Sequence, residues 1–135
     1  MTSFSVATSR RTEFIDITPE VQKALDRSGL QEGLVTVFVP HTTAGVTINE
    51  GADPSVQEDL LNSLNQVIPF KGAYQHREGN SPAHIKASLM GSSVTVLVEK
   101  ERMVLGTWQA IFFCEFDGPR KRKVYLQTLA VPQTP

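Results

Sequence analysis

The chain has a single cysteine, Cys114, so no intrachain disulfide can staple it. Cys114 lies within an apolar segment, which fits a buried thiol in a reducing compartment, and a cytoplasmic location is expected. Long hydrophobic runs are also lacking. The longest is Ala110 to Cys114, far short of the roughly 20 residues of a membrane-spanning helix. The opening MTSFSVATSRR has no basic stretch followed by an apolar one, so it does not read as a secretory leader. There is no excess of one charge: 13 Lys and Arg stand against 14 Asp and Glu, a net charge of −1. Binding of nucleic acid therefore has no electrostatic basis here. No internal repeat or low-complexity tract is present. With 40% hydrophobic and 20% charged residues in 135, the chain is expected to form one domain, 1–135, that buries its own core.

Residues 3–8 and 12–17 alternate apolar and polar, the period of half-buried strands. Thr18-Pro19 starts a helix whose apolar face is Val21, Ala24 and Leu25, with Gly29 or Gly33 ending it. Leu34 to Val39 is a strand apolar enough to be buried on both faces. Asp53-Pro54 starts a second helix over 54–67, with Val56, Leu60, Leu61, Leu64 and Val67 at helical spacing. Phe70 to Ser81 is a polar loop without periodicity. Ser81-Pro82 starts a third helix running to Met90, with Ile85 and Leu89 inward and Gly91 as C-cap. Strands follow at Ser93 to Glu99, Met103 to Gly106, Gln109 to Phe116 and Lys121 to Leu129. Strands at both ends with helices between predict an α+β fold with largely antiparallel sheet and two to three helices.

The stretch Pro40 to Pro54, PHTTAGVTINEGADP, gathers His41, Thr42, Thr43, Asn49 and Glu50 just past a core strand. Polar loops leaving a rigid strand are where binding residues concentrate, though an ordinary edge turn would read the same way. The other two histidines, His76 and His84, fall in the second polar segment, His84 in the first turn of the third helix and Ser88 one turn on. Three imidazoles converging from two loops would form a tripod with an open position, the arrangement of a catalytic zinc site. Their spacing equally fits three unrelated surface or capping histidines. Glu115 interrupts an apolar run, so it sits either at a sheet rim or buried and paired. Trp108 either plugs the end of the sheet or walls a flat ring. The run Arg120 to Lys123 is a solvated turn or a phosphate contact.

His41-Thr42-Thr43-Ala44, Ile48-Asn49-Glu50, Ala52-Asp53-Pro54, Pro82-Ala83-His84-Ile85-Lys86, Ser88-Leu89-Met90-Gly91-Ser92 and Leu105-Gly106-Thr107-Trp108-Gln109 occur in this order. They resemble the signature segments of the YjbQ-like family of secondary thiamine-phosphate synthases, from about Phe4 to Leu129. The resemblance implies a small α+β domain that assembles as a homotrimer, with a metal or ligand site where the histidine loops meet. It implies a metal-ligand role for His41, His76 and His84. Asn49, Glu50, Glu78, Ser88, Trp108 and Glu115 match its polar and aromatic positions.

The activity implied is a metal-assisted transfer joining a pyrimidine diphosphate to a thiazole phosphate. Glu50, Glu78 or Glu115 would then be the acid or base, and Trp108 would flank a ring. Lys86 or Arg120 would meet phosphate, with Thr42, Thr43, Asn49 and Ser88 completing the substrate contacts. Imidazoles suit zinc or a similar divalent ion, whereas a departing diphosphate is usually assisted by magnesium. Two alternatives stand beside the transferase. One is a metal-dependent hydrolase of a small phosphorylated metabolite. The other is a non-enzymatic trimeric protein that binds a metal or metabolite.

Overall fold

The computed structural model describes residues 1–132, so the last three residues of the expected domain lie outside the described residues. Eleven elements follow in order: β1 (Thr2–Ala7), β2 (Glu13–Asp16), α1 (Thr18–Ser28), β3 (Gly33–Phe38), β4 (Ala44–Glu50), α2 (Pro54–Val67), α3 (Ser81–Met90), β5 (Ser93–Glu99), β6 (Arg102–Met103), β7 (Gln109–Glu115) and β8 (Lys121–Ala130). A five-stranded sheet has the order β1-β8-β3-β5-β6, and a three-stranded sheet the order β2-β7-β4. Every strand pair is antiparallel. The α+β class with antiparallel sheets and three helices is thus as the sequence implies.

Two apolar clusters hold three layers together. The first joins the inner face of the five-stranded sheet (Val35, Val37, Val96, Val124, Leu126) to Val21 and Leu25 of α1 and to Val46, Ile111 and Phe113 of the smaller sheet. Each fully buried side chain of this size contributes about 1.5–3 kcal/mol. The second cluster lies on the other face of the smaller sheet, where Phe14, Phe112, Cys114 and Phe116 meet Ala83 and Ala87 of α3 and the leucines of α2. Successive residues of β7 therefore serve opposite cores, which is why Ala110 to Glu115 are all buried.

Several expectations need correction. β3 is buried on one face only: Val35 and Val37 are inside, while Phe38 is 44% exposed. The residues after Pro40 are not one loop, because Ala44–Glu50 is a full strand paired along β7. Its glycine and polar residues mask a strand that the partner's apolar register imposes. In α3 the buried face is Pro82, Ala83, Lys86 and Ala87, while Ile85 and Leu89 are exposed. Small residues win this face because α3 lies close on β4. A Cβ placed on Gly45 would meet Gly91 O at 2.6 Å and Met90 Cβ at 3.2 Å. Gly45→Ala should accordingly destabilise by about 1–3 kcal/mol through overpacking. A urea midpoint unchanged from wild type would refute that close approach.

Helix ends follow local chemistry. Asp53 caps α2 by accepting from Ser55 N at 3.0 Å. Thr18 is the first helical residue rather than the cap, and its Oγ1 instead accepts from Ile111 N at 2.8 Å, tying α1 to β7. Gly29, at φ 72, ends α1 in the left-handed conformation that glycine adopts freely. Lys100 and Glu101 form the two-residue turn between β5 and β6, with φ of 52 and 66. Positive φ at both central residues is the geometry that Asn-Gly usually supplies. Among the described residues, no helix is long and apolar enough to cross a membrane.

Candidate functional site

A pocket of about 490 Å³ opens between the segment after β3 and helix α3. It is lined by His41, Thr42, Ala44, His84, Ala87, Ser88, Gly91 and Ser92. β3 and β4 place His41 and Thr42 at the end of both sheets. α3 supplies His84 and Ser88 one turn apart, Ser88 Oγ donating to His84 O at 2.9 Å. His76 comes in from the 68–80 segment, its ring centre 5.2 Å from that of His84 in an edge-to-face pose. Glu78 lies 3.8 Å from His76 and is largely exposed.

His41 is not held as a free ligand. Its Nε2 accepts the backbone N–H of Lys123 at 2.9 Å. In the neutral ring the proton is then on Nδ1, which makes the free nitrogen a donor. Burial, and next the charge of Arg122, hold the pKa of His41 below its ordinary 6.5, so the ring is neutral at neutral pH.

Beneath this loop sits a buried charged network. Glu115 is fully buried and paired to Arg122, whose Nε donates to Oε1 at 2.9 Å and whose Nη2 donates to Oε2. Thr8 Oγ1 donates to Oε1 at 2.7 Å, and the backbone amides of Phe116 and Asp117 donate to Oε2. Arg122 Nη2 also donates to Thr43 Oγ1 at 2.9 Å. Burial alone would raise the pKa of Glu115. The hydrogen bonds from Arg122, Thr8 and Asp117, with the charge of Arg122, outweigh it and hold the carboxyl below its ordinary 4.5. With both oxygens occupied, Glu115 holds structure and has no lone pair aimed at a substrate. Thr43 is 6% exposed and belongs to the same network.

The other expected residues divide. Arg120 remains near His41, half-exposed and paired to Asp117 at 2.8 Å. Asn49 and Glu50 end β4, where Glu50 pairs with Gln109, whereas Ala44 pairs with Glu115. Six residues of strand set them about 20 Å from the histidine end. Trp108, 64% exposed, is at that far end too, its carbonyl accepting Gly51 N. Within one chain neither Glu50 nor Trp108 can share a small ligand with His41. Lys86 is only 1% exposed, on the opposite face of α3 from His84, with Nζ donating to Asn65 Oδ1 at 2.6 Å. Its ammonium also lies 5.3 Å from the Phe70 ring centre, and burial lowers its pKa. The pocket is therefore not where Lys86 points.

Two members of this network, Arg122 and Thr8, stand outside every sequence motif, Arg122 lying within the basic run that opens β8. Alternation along β8 was the available signal, since Val124 and Leu126 face the core and Arg122 shares their parity.

A divalent ion is tested by the donors present. Two imidazoles sharing one zinc at about 2.0–2.1 Å from each nitrogen have ring centres roughly 5 Å apart, and His76 and His84 meet that spacing. Asn80, at the N-cap of α3, has a buried Oδ1 without a hydrogen-bond partner, an oxygen that a cation or donor would satisfy. His41 spends its lone pair on Lys123, and among the described residues no group of three or more His, Cys, Asp or Glu is placed to hold a metal. The donors the chain brings near one another there are the two imidazoles of His76 and His84.

Residues 2–131 match the sequence profile described as UPF0047 protein YjbQ-like. The chain belongs to this family. A UPF0047 protein of Methanocaldococcus jannaschii is 48% identical over 126 residues, covering 93% of this chain and 91% of that one. UPF0047 protein YugU of Bacillus subtilis is 47% identical over 128 residues, covering 94% and 97%. A crystal structure of a YjbQ/UPF0047 protein from Clostridium acetobutylicum is similar at a TM-score of 0.94 and 55% identity, covering 96% of this chain and 100% of that one. A hypothetical protein from Aeropyrum pernix matches at 0.92 with 39% identity, covering 96% and 98%. The two solved structures each match over 96% of this chain, so the likeness of fold extends along nearly its whole length.

Proposed function

We propose that this YjbQ-like chain binds a small phosphorylated metabolite between His41 and His84, with a divalent ion held by His76 and His84. The observation that carries the reading is the convergence of His41 and His84, from separate elements, on one open pocket. The basic start of β8 lies beside it. His41 would donate Nδ1–H to a phosphate oxygen, and Arg120 would add charge. Thr42 and Ser88 would supply hydroxyls, and zinc or a similar ion would polarise the phosphate when bound, magnesium being the alternative for a diphosphate.

The reaction proposed is the one the family resemblance implies: transfer that joins a pyrimidine diphosphate to a thiazole phosphate with loss of pyrophosphate. In it this chain orients the diphosphate and neutralises the charge that builds on the leaving group. The resemblance further suggests a cytoplasmic homotrimer.

A second reading is favoured by one feature of the pocket. None of its lining residues is a carboxylate, and Glu115 is committed to Arg122. Proton transfer would fall to an imidazole or to exposed Glu78. A protein that binds the metabolite without turning it over, or hydrolyses it through activated water, needs less.

Metal content of tag-free protein, followed by a coupled assay for thiamine phosphate beside a panel of phosphomonoesters, separates these. Thiamine phosphate formed only with divalent ion supports transfer. Orthophosphate release alone supports hydrolysis. Tight pyrophosphate binding with neither product supports the binding role. No pyrophosphate or metal binding at all would remove the whole reading.

A further inference from the structure

Residues 68–80, which carry His76 from α2 back to the pocket, are tied to the rest of the fold through an aromatic ring. Among the described residues, the hydrogen bonds of 69–79 all close within the segment. Tyr74 N donates to Gly72 O at 2.9 Å, Gly79 N to His76 O at 3.3 Å and Tyr74 Oη to Pro69 O at 2.5 Å. Ahead of His76 the segment reaches other elements through Phe70. This half-buried ring has the Arg11 guanidinium 3.9 Å and the Lys86 ammonium 5.3 Å from its centre. Neither cation forms an ion pair among the described residues. That is unusual for Lys86, which is 1% exposed, since a buried ammonium is ordinarily matched by a carboxylate. Its partners are the Asn65 amide oxygen at 2.6 Å and the Phe70 ring. An aromatic face can take a cation in place of an acid, and does so more strongly where water is excluded.

We infer that Phe70 is a positioning residue for the histidine pair: gripped by Arg11 and Lys86, it latches residues 68–80 against α3 and so holds His76 at His84. Both grips are anchored. Arg11 lies in the turn between β1 and β2, where its carbonyl accepts Gly118 N at 3.0 Å. Lys86 and His84 are two positions apart on α3 and so project to different sides of that helix. Between Phe70 and His76 the Tyr74 hydroxyl closes the chain back onto Pro69, so the position of Tyr74 follows that of Phe70. His76 comes two residues later, its ring centre 5.2 Å from that of His84. Beyond it, Asn80 Nδ2 donates to Asp117 Oδ2 at 3.0 Å and holds the other end. The ring at residue 70 thus decides how often His76 stands beside His84. Affinity for a ligand shared by the two imidazoles scales with the fraction of molecules so arranged. The ring proximity stands on its own; only the effect on metal rests on the proposed ion site.

Proton NMR of the metal-free protein reads the proximity, and zinc titration by calorimetry reads its consequence. Wild type and Phe70→Tyr, which keeps the ring face, should show cross-relaxation between the His76 and His84 ring protons. Phe70→Leu, which keeps an apolar side chain without the ring, should lose it. Phe70→Leu should also bind zinc about tenfold more weakly, with Phe70→Tyr matching wild type. In a His76→Ala background Phe70→Leu should weaken zinc no further, because the latch acts through His76. Arg11→Gln, a change at an exposed residue, should weaken zinc by about threefold and decides the matter if circular dichroism shows Phe70→Leu unfolded. Cross-relaxation absent from wild type, or kept in Phe70→Leu together with wild-type zinc affinity, overturns the inference. So does an equal loss of zinc on Phe70→Leu with and without His76. A wild type that binds no zinc, yet loses the ring contact on Phe70→Leu, keeps the latch and removes the ion from the proposed site.

Discussion

Glu115→Gln should unfold with a midpoint lower by about 10–20 °C, a loss of about 3–5 kcal/mol. The substitution leaves the buried Arg122 guanidinium without its counter-charge while keeping the shape of the side chain. Removing one member of such a pair is costly, because the desolvated partner has no route back to water. Removing both should be mild. Glu115→Met with Arg122→Met is expected to recover most of the loss, since two apolar groups in this volume need no compensation. Acid should act through the same group. The folded carboxyl titrates below its ordinary 4.5, so the stability it contributes is complete above that value and declines as pH falls toward the folded value. Wild type should lose urea resistance over that acid window, and the Met/Met variant should lack this component. Identical thermal midpoints for wild type and Glu115→Gln would show that the ion pair is not holding the loop.

Replacing His84 by alanine should weaken divalent-ion binding by about a hundredfold or more, because one of two imidazole ligands goes. His41→Ala should instead weaken pyrophosphate binding by about tenfold to a hundredfold, the worth of a hydrogen bond to a charged group. It should leave metal affinity nearly intact, since the His41 lone pair is already spent on Lys123. This split distinguishes an ion held by a histidine pair from a three-histidine tripod. Calorimetric titration of each ligand into each variant reads it directly. Equal loss of metal on removing either residue would restore the tripod and contradict the donor role of His41. The pocket imidazole also implies a pH sign. Because burial and Arg122 lower its pKa, neutral His41 persists below the ordinary 6.5, and its contribution to stability fades only as pH falls below that value. Asn49→Ala, at the far end of β4, serves as the control and should change neither affinity.

The histidine neighbourhoods were readable from the chain because their supports are local: a strand end for His41, a Pro-initiated helix for His84. The α+β class was equally legible from its punctuated strand and helix periods. Long-range register was harder. That Ala44–Glu50 is a strand depends on β7, some sixty positions away, and its own glycine and polar residues speak against it. The role of Glu115 was open between rim and buried pair, and Arg122 decides it from across the sheet turn. Lys86 looked like a phosphate contact by its charge. Its position opposite His84 on α3 follows only once Ala83 and Ala87 are known to be the packed face. The separation of Trp108 and Glu50 from the histidines is likewise a matter of register, since both ends of one strand pair carry chemistry-bearing residues.

A crystal structure of the protein soaked with pyrophosphate and zinc tests the central claim most directly. Phosphate oxygens are expected within hydrogen-bonding reach of His41 Nδ1, with an ion held by His76 and His84. Ordered pyrophosphate at the Trp108 end, with only water between His41 and His84, would contradict it.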